Sequence, residues 1–225
     1  MLQQSCSSKR AYPHSLIRSM LSYEGSRLRM IFLLRHGETE LNVQGRLQGR
    51  SQANLTEAGR SFAQDTARVI SCEVGDGDCV IFSSPLTRAL ETTEIIAAAL
   101  AGLRKRVTDD RIAELDFGKW DGLTDDEIDA GWPGNRDVGA PGEWYFNSPG
   151  GEGFDVFRLR LARFLDDLTN DPHEHKIIVS HGLAGRVLRG IHADLSTPDT
   201  MSLPVPSQAF FILQTHGGIK EVAVE

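Results

Sequence analysis

The chain has 225 residues, of which 40% are hydrophobic and 24% charged, a balance that suits one domain with a proper core and is too apolar for a disordered chain. Its formal net charge is −7, unevenly spread: residues 1–29 hold five Lys and Arg against one Glu, a balance of +4 that leaves −11 for the remainder. An acidic body excludes general nucleic-acid binding, which needs a basic face, and the lack of any run of eighteen apolar residues excludes a helical membrane span.

Residues 1–29 are Ser- and Arg-rich and lack the apolar core of a secretory signal. Two readings stand for them: a segment resembling a transit peptide, or an unstructured extension before a domain at 30–225, with Met30 as an alternative start. The three cysteines, Cys6, Cys72 and Cys79, are odd in number and fit no zinc or redox spacing. They predict reduced thiols and a cytoplasmic protein.

The elements follow in order. Met30 to Leu34 is a short apolar run, expected to be a buried strand. Leu41 to Asn54 is polar and broken by glycine, which predicts a loop. Thr56 offers a start signal for a helix through about Cys72. A turn at 75–78 leads to a second buried strand, Cys79 to Ser83, ended by Ser84-Pro85, and then to a helix over Leu86 to Leu100. Val107 to Leu115 is expected to hold one or two extended pieces, and Asp125 to Gly131 a short helix. Three prolines and several glycines make 132–153 an irregular excursion.

Phe154, Phe157, Leu161, Phe164, Leu165 and Leu168 fall at three- and four-residue spacings, which predicts an amphipathic helix over Phe154 to Asn170. Lys176 to Ser180 reads as a third buried strand and Leu183 to Ile191 as a helix. Gln208 to Gln214 and Ile219 to Val224 read as a closing hairpin. Strands alternating with helices predict an α/β layered domain with a largely parallel sheet.

Three strands end in polar tips: Arg35-His36-Gly37, Ser83-Ser84-Pro85 leading to Arg88, and Ser180-His181-Gly182. In open α/β sheets ligands bind beyond the carboxyl ends of the strands, so two arginines and two histidines are expected to share one crevice. Arginine matches a phosphoryl group in planar, bidentate fashion. A histidine can attack phosphorus, and a second one, if protonated, adds charge for the transferring oxygens. The leaving oxygen then needs an acid, and Glu114 is the best-placed carboxylate, with Asp116 as its rival.

These motifs resemble the signature of the histidine phosphatase superfamily, in the branch that includes phosphoglycerate mutases. The resemblance runs in order through FLLRHGETELN at 32–42, Gln48-Gly49, LTEAGR at 55–60, SSPLTRALETTEII at 83–96, ELDFGKWDG at 114–122, PGGE at 149–152 and VSHG at 179–182. It implies a three-layer α/β/α sandwich with a mostly parallel central sheet. It further implies His36 as a nucleophile that becomes phosphorylated, and Arg35, Arg88 and His181 as its phosphate pocket. Asn42 and Gln48 would line that pocket, and Glu114 would protonate the leaving group and later activate water. The family places this acid four residues before the first glycine of its motif, here Gly118, which favours Glu114 over Asp116. No metal and no other cofactor is implied.

No phosphate-binding GxxxxGK[ST] loop is present, and no cysteine is followed six residues later by arginine. His173-Glu174-His175 lies in a polar turn without an evident third ligand and is read as surface; His192 and His216 are read as structural or exposed. Trp132, Trp144 and Tyr145 have two readings, packing the excursion onto the sheet or capping the crevice to select the leaving group. Residues near Gln208 share that second expectation.

Mutases of the family usually carry a longer insert between the acid motif and the second histidine. Glu114 and His181 are 67 positions apart, which resembles the shorter phosphatase branch. The expectation is a metal-independent phosphomonoester phosphatase acting on a small phosphorylated metabolite. The alternatives are a bisphosphoglycerate-dependent phosphoglycerate mutase and a non-catalytic phospho-ligand binding module. Neither nucleic acid nor membrane is an expected partner, and a homodimer is left open.

Overall fold

The computed structural model describes residues 30–139 and 142–224. The basic stretch 1–29, read above as an extension, lies outside these residues. The chain enters the fold at strand β1 (Met30–Arg35) and makes a short helix α1 (Glu40–Val43) and a long helix α2 (Glu57–Val74). Strand β2 (Cys79–Ser83), helix α3 (Thr87–Ala98) and strand β3 (Leu103–Thr108) follow. A short helix α4 (Asp125–Gly131) precedes the excursion, and helix α5 (Phe154–Thr169) leads out of it. The chain closes with β4 (His175–Ser180), α6 (Gly182–His192), α7 (Thr197–Ser202), β5 (Ala209–Leu213) and β6 (Ile219–Ala223).

The six strands form one sheet in the order β3-β2-β4-β1-β5-β6. The pairs β3–β2, β2–β4 and β4–β1 are parallel, and β5 runs antiparallel to both of its neighbours. Strand alternation splits the core into two layers. Phe32, Leu34, Ile177 and Val179 face one way and pack with Ala67 and Ile70 of α2 and Ala89 and Ile96 of α3. Leu33 and Ile178 face the other way and pack with Phe157, Leu161 and Phe164 of α5 and Val187 and Leu188 of α6. The result is the expected three-layer sandwich. Both faces of the central strands are covered, which is why β1, β2 and β4 read as continuous apolar runs.

Local signals explain most element ends. The Thr56 hydroxyl accepts from the Gly59 N–H and so caps α2. Thr39 caps α1, accepting from the Asn42 N–H, while Asn42 Oδ1 accepts from the Thr39 N–H, a reciprocal box. This single turn interrupts the stretch expected to be wholly loop.

Three further differences have physical causes. Strand β3 begins at Leu103, four residues before the expected extended pieces, and the chain turns into a 3-10 helix at Asp110–Ile112. Arg104, Lys105 and Arg106 hid it: β3 is an edge strand, where charge replaces apolar alternation and discourages pairing with other chains. His175 is not surface but the buried first residue of β4, because it pairs with Met30 on one side and Cys79 on the other. Helix α7 is an element beyond those expected, capped by Ser196 and carrying a proline in its first turn.

Candidate active site

Strands β2, β4 and β1 are neighbours and run parallel, so their carboxyl ends open on the same sheet edge. Pairing continues one residue past each strand. The His36 N–H donates to Ser180 O at 3.0 Å, and the Ser84 N–H donates to Val179 O at 3.0 Å. His36, Ser84 and His181 are thereby laid side by side. Gly37 then turns the chain away where no side chain fits: a Cβ there would lie 2.3 Å from Gly59 O. That close approach of backbone to backbone gives the RHG tripeptide its glycine.

The tips line a cavity of about 280 Å³. Of the residues singled out from the sequence, Arg35, His36, Asn42, Gln48, Arg88 and Glu114 lie in its wall. His181 stands behind His36, with the two ring centroids 5.1 Å apart. Arg46, Phe117, Arg186 and Val205 also line it and were not singled out. Arg186 carried a signal, four residues after Gly182 and so on the same face of α6. Arg46 sits between the two residues chosen from its loop. Val205 carried none, and exposed Gln208 is not in the wall.

The hydrogen bonds of His36 fix its tautomer. Nδ1 lies 2.7 Å from Gly37 O and must carry the proton to donate there. Nε2 therefore keeps its lone pair, and Arg88 Nε donates to it at 3.1 Å. Arg88 is fully buried and donates one N–H of each terminal nitrogen, to Ser51 O and to Gly49 O, each at 2.8 Å, keeping the second N–H of each. Burial pulls this guanidinium down to about 10, so it stays cationic at neutral pH. His181 Nε2 meets Ser84 Oγ at 2.7 Å, while its buried Nδ1 has no partner among the described residues.

Burial, reinforced by Arg88, holds both imidazoles well below their usual value. The protonated state considered for His181 is therefore not that of the empty pocket. The unfolded chain takes up a proton at each imidazole as pH falls through about 6.5, while the native site does not. Stability supplied by these depressed values is thus complete above that pH and lost below it, by up to about 1.4 kcal/mol per pH unit per histidine. Denaturant unfolding between pH 7.5 and 5 should show this slope, and the double variant His36→Asn, His181→Asn should lack it. An equal slope in both proteins would refute the assignment.

Glu114 is buried and held by backbone alone. Oε1 accepts from the Leu115 N–H at 2.9 Å and the Ala184 N–H at 3.0 Å, and Oε2 accepts from the Leu183 N–H at 3.1 Å. Leu183 and Ala184 open α6, so the carboxyl sits at a helix N-terminus. Behind it, Arg160 donates to Arg111 O at 2.6 Å, Ala113 O at 2.8 Å and Glu114 O at 3.0 Å. Glu152 grips Arg160 with both oxygens, at 2.7 and 2.8 Å. The PGGE stretch thus fixes the backbone that presents Glu114. Asp116 does not line the cavity; its side chain accepts from the Gly118 N–H at 2.8 Å and closes a turn.

The amides show which end faces the cavity. Thr39 Oγ1 donates to Gln48 Oε1 at 2.8 Å, and Asn42 Oδ1 is taken by Thr39. Thr39 thus holds the oxygen end of each amide, and both residues line the cavity. The aromatic cluster divides between its two readings. Trp132 and Trp144 pack on buried Trp120, at 6.3 and 6.2 Å between centroids. Tyr145 stacks on Trp144 at 3.9 Å and itself lines the cavity. Among the described residues no cluster could hold a metal ion, and no helix is long and apolar enough to cross a membrane.

Residues 31–224 match the family described as the histidine phosphatase superfamily (branch 1). Over 140 residues, 60% of its length, the chain is 37% identical to a bifunctional protein of Mycobacterium tuberculosis, covering 36% of that protein. Over 110 residues, 49% of its length, it is 40% identical to the glucosyl-3-phosphoglycerate phosphatase of Mycobacterium tuberculosis, covering 47% of it. The chain thus spans between about a third and a half of these curated relatives. The solved structure of a mycobacterial glucosyl-3-phosphoglycerate phosphatase in complex with VO3 superposes with a TM-score of 0.71 at 28% identity, over 87% of this chain and 97% of that one.

Proposed function

The chain belongs to the histidine phosphatase superfamily, branch 1, and from that premise we propose that it is a metal-independent phosphomonoester phosphatase acting on a small phosphorylated metabolite. The observation that carries the reading is His36: its Nδ1 proton is committed to Gly37 O, and its Nε2 lone pair points at Arg88 inside a cavity walled by Arg35 and Glu114. A cavity of about 280 Å³ suits a substrate smaller than a drug-sized ligand.

The reaction balances in two steps. Nε2 of His36 forms a bond to phosphorus as the ester P–O bond breaks, and Glu114 gives its proton to the departing alcohol oxygen. Ionised Glu114 then takes a proton from water, whose oxygen bonds to phosphorus while the P–N bond breaks. Inorganic phosphate leaves, and both residues return to their starting states. Arg35 and Arg88 hold the phosphoryl oxygens, the amides of Asn42 and Gln48 donate to them, and the open Nδ1 of His181 supplies a further hydrogen bond.

Hydrolysis is favoured over a mutase by the 67-position interval between Glu114 and His181 and by phosphatase names among the relatives. A binding module is disfavoured because no residue of the motif set is replaced. The phosphatase reading places the work in the cytoplasm, where phosphorylated metabolites and reduced thiols coincide. The test is release of inorganic phosphate from an aryl phosphate in EDTA, with and without bisphosphoglycerate. Turnover in EDTA alone is expected; strict dependence on bisphosphoglycerate would mark a mutase, and no turnover would mark a binding module.

A further inference from the structure

The loop that follows α1 lies along the chain just after the ELDFG stretch. The Leu47 N–H donates to Leu123 O at 2.9 Å, and the Gly122 N–H donates to Leu47 O at 2.7 Å. Asp121 extends this contact with its side chain. Its Oδ2 accepts from the Arg50 N–H at 3.0 Å, and its Oδ1 accepts from the Phe117 N–H at 3.2 Å. The carboxylate lies against the α carbon of Gly49, where a Cβ would come 1.8 Å from Asp121 Oδ1. Gly49 also has φ +42°, a left-handed backbone that favours glycine.

This loop aims Arg88. The guanidinium donates to Gly49 O and Ser51 O, each at 2.8 Å, and from Nε to His36 Nε2 at 3.1 Å. Gly49 O and the Arg50 N–H belong to one trans peptide plane and point in opposite directions. Asp121 therefore holds one end of a rigid unit whose other end holds Arg88. Three of the five N–H groups of Arg88 are fixed in this way, which sets the direction of the remaining two. Those two are what Arg88 can offer to a phosphoryl group. Charge acts the same way. Burial lowers the proton affinity of Arg88, and the carboxylates of Glu114 and Asp121 oppose that effect. When Glu114 is protonated to serve as acid, Asp121 is the one of the two that still supports the cation.

We propose that Asp121 is a positioning residue of the phosphoryl site, acting on Arg88 through the peptide between Gly49 and Arg50. Asp121 does not itself line the cavity. The proposal deepens the phosphatase reading and rests on it. Asp121→Asn nearly keeps the shape, but an amide has one oxygen for two N–H donors and no charge. Tungstate, a phosphate mimic, is titrated by calorimetry into the parent protein, Asp121→Asn, Arg88→Lys and the double variant. In the parent background, Asp121→Asn is expected to weaken tungstate binding about tenfold. In the Arg88→Lys background, which lacks the fork, the same change is expected to cost less than about twofold. Asp121→Ser, smaller and without an NH₂ group facing a backbone N–H, should give the same pattern. The Nε–H resonance of Arg88, assigned by its loss in Arg88→Lys, should shift in both Asp121 variants. A parent protein that does not bind tungstate would remove the phosphatase reading and the proposal with it. Where the parent binds, unchanged affinity in the Asp121 variants, equal losses in the two backgrounds, or an unmoved Arg88 resonance would overturn the proposal alone.

Discussion

Replacing His36 with alanine is expected to lower kcat/KM by about 10⁴-fold or more, equivalent to roughly 5 kcal/mol of transition-state stabilisation. The size follows from the role. No other side chain in the cavity wall offers an uncharged nitrogen lone pair to phosphorus: Arg35, Arg46, Arg88 and Arg186 are cations, and His181 stands behind His36. Two readouts are needed. Steady-state release of phosphate should vanish. A rapid-quench experiment with ³²P-labelled ester should label the parent protein and not the variant, with the acid-labile, base-stable behaviour of a phosphorylated imidazole. His36→Asn is the control for folding, since its amide can still donate toward Gly37 O. Labelled protein in either variant would move the nucleophile elsewhere and remove the basis of the mechanism.

Glu114→Gln separates proton transfer from placement. The amide keeps the size of the carboxyl, and its oxygen can still accept from the N-terminus of α6, but it holds no proton for the leaving oxygen. General acid catalysis contributes typically about 10² to 10⁴. That loss is expected for an alkyl ester, whose alkoxide leaves poorly. For a p-nitrophenyl ester, whose leaving group needs little help, formation of the phosphoenzyme should slow by less than about tenfold. Comparing burst rates on the two esters makes the test. Equal losses would show that Glu114 only shapes the pocket through its backbone hydrogen bonds. Asp116→Ala should behave like a turn variant, losing the acceptor for the Gly118 N–H and with it stability, without altering the ratio between the two esters.

Much of the fold was legible because its signals are local. β1, β2 and β4 carry continuous apolar runs, which burial on both faces demands, and α5 repeats its apolar residues at helical spacing. Strand β3 was misplaced because an edge strand obeys a different rule, charge against unwanted pairing. The candidate site was legible as far as it hangs on strand ends: Arg35, His36, Ser84 and His181 follow directly from where three buried runs stop. Glu114 was legible through its motif, but not the reason for its fixed position. Arg160 reaches it from α5, 46 residues away along the chain, and no spacing rule predicts such a clamp.

By itself, then, the sequence determined the layers, the parallel sheet and the set of groups proposed to move a phosphoryl group, because strand burial and side-chain chemistry are written residue by residue. The tertiary structure alone decided which nitrogen of His36 holds the lone pair, that His181 lies uncharged behind it, and that Arg186 and Val205 join the wall. These depend on burial and on contacts between segments far apart in the chain. An imidazole takes its charge and tautomer from its surroundings, and only the packed fold supplies them.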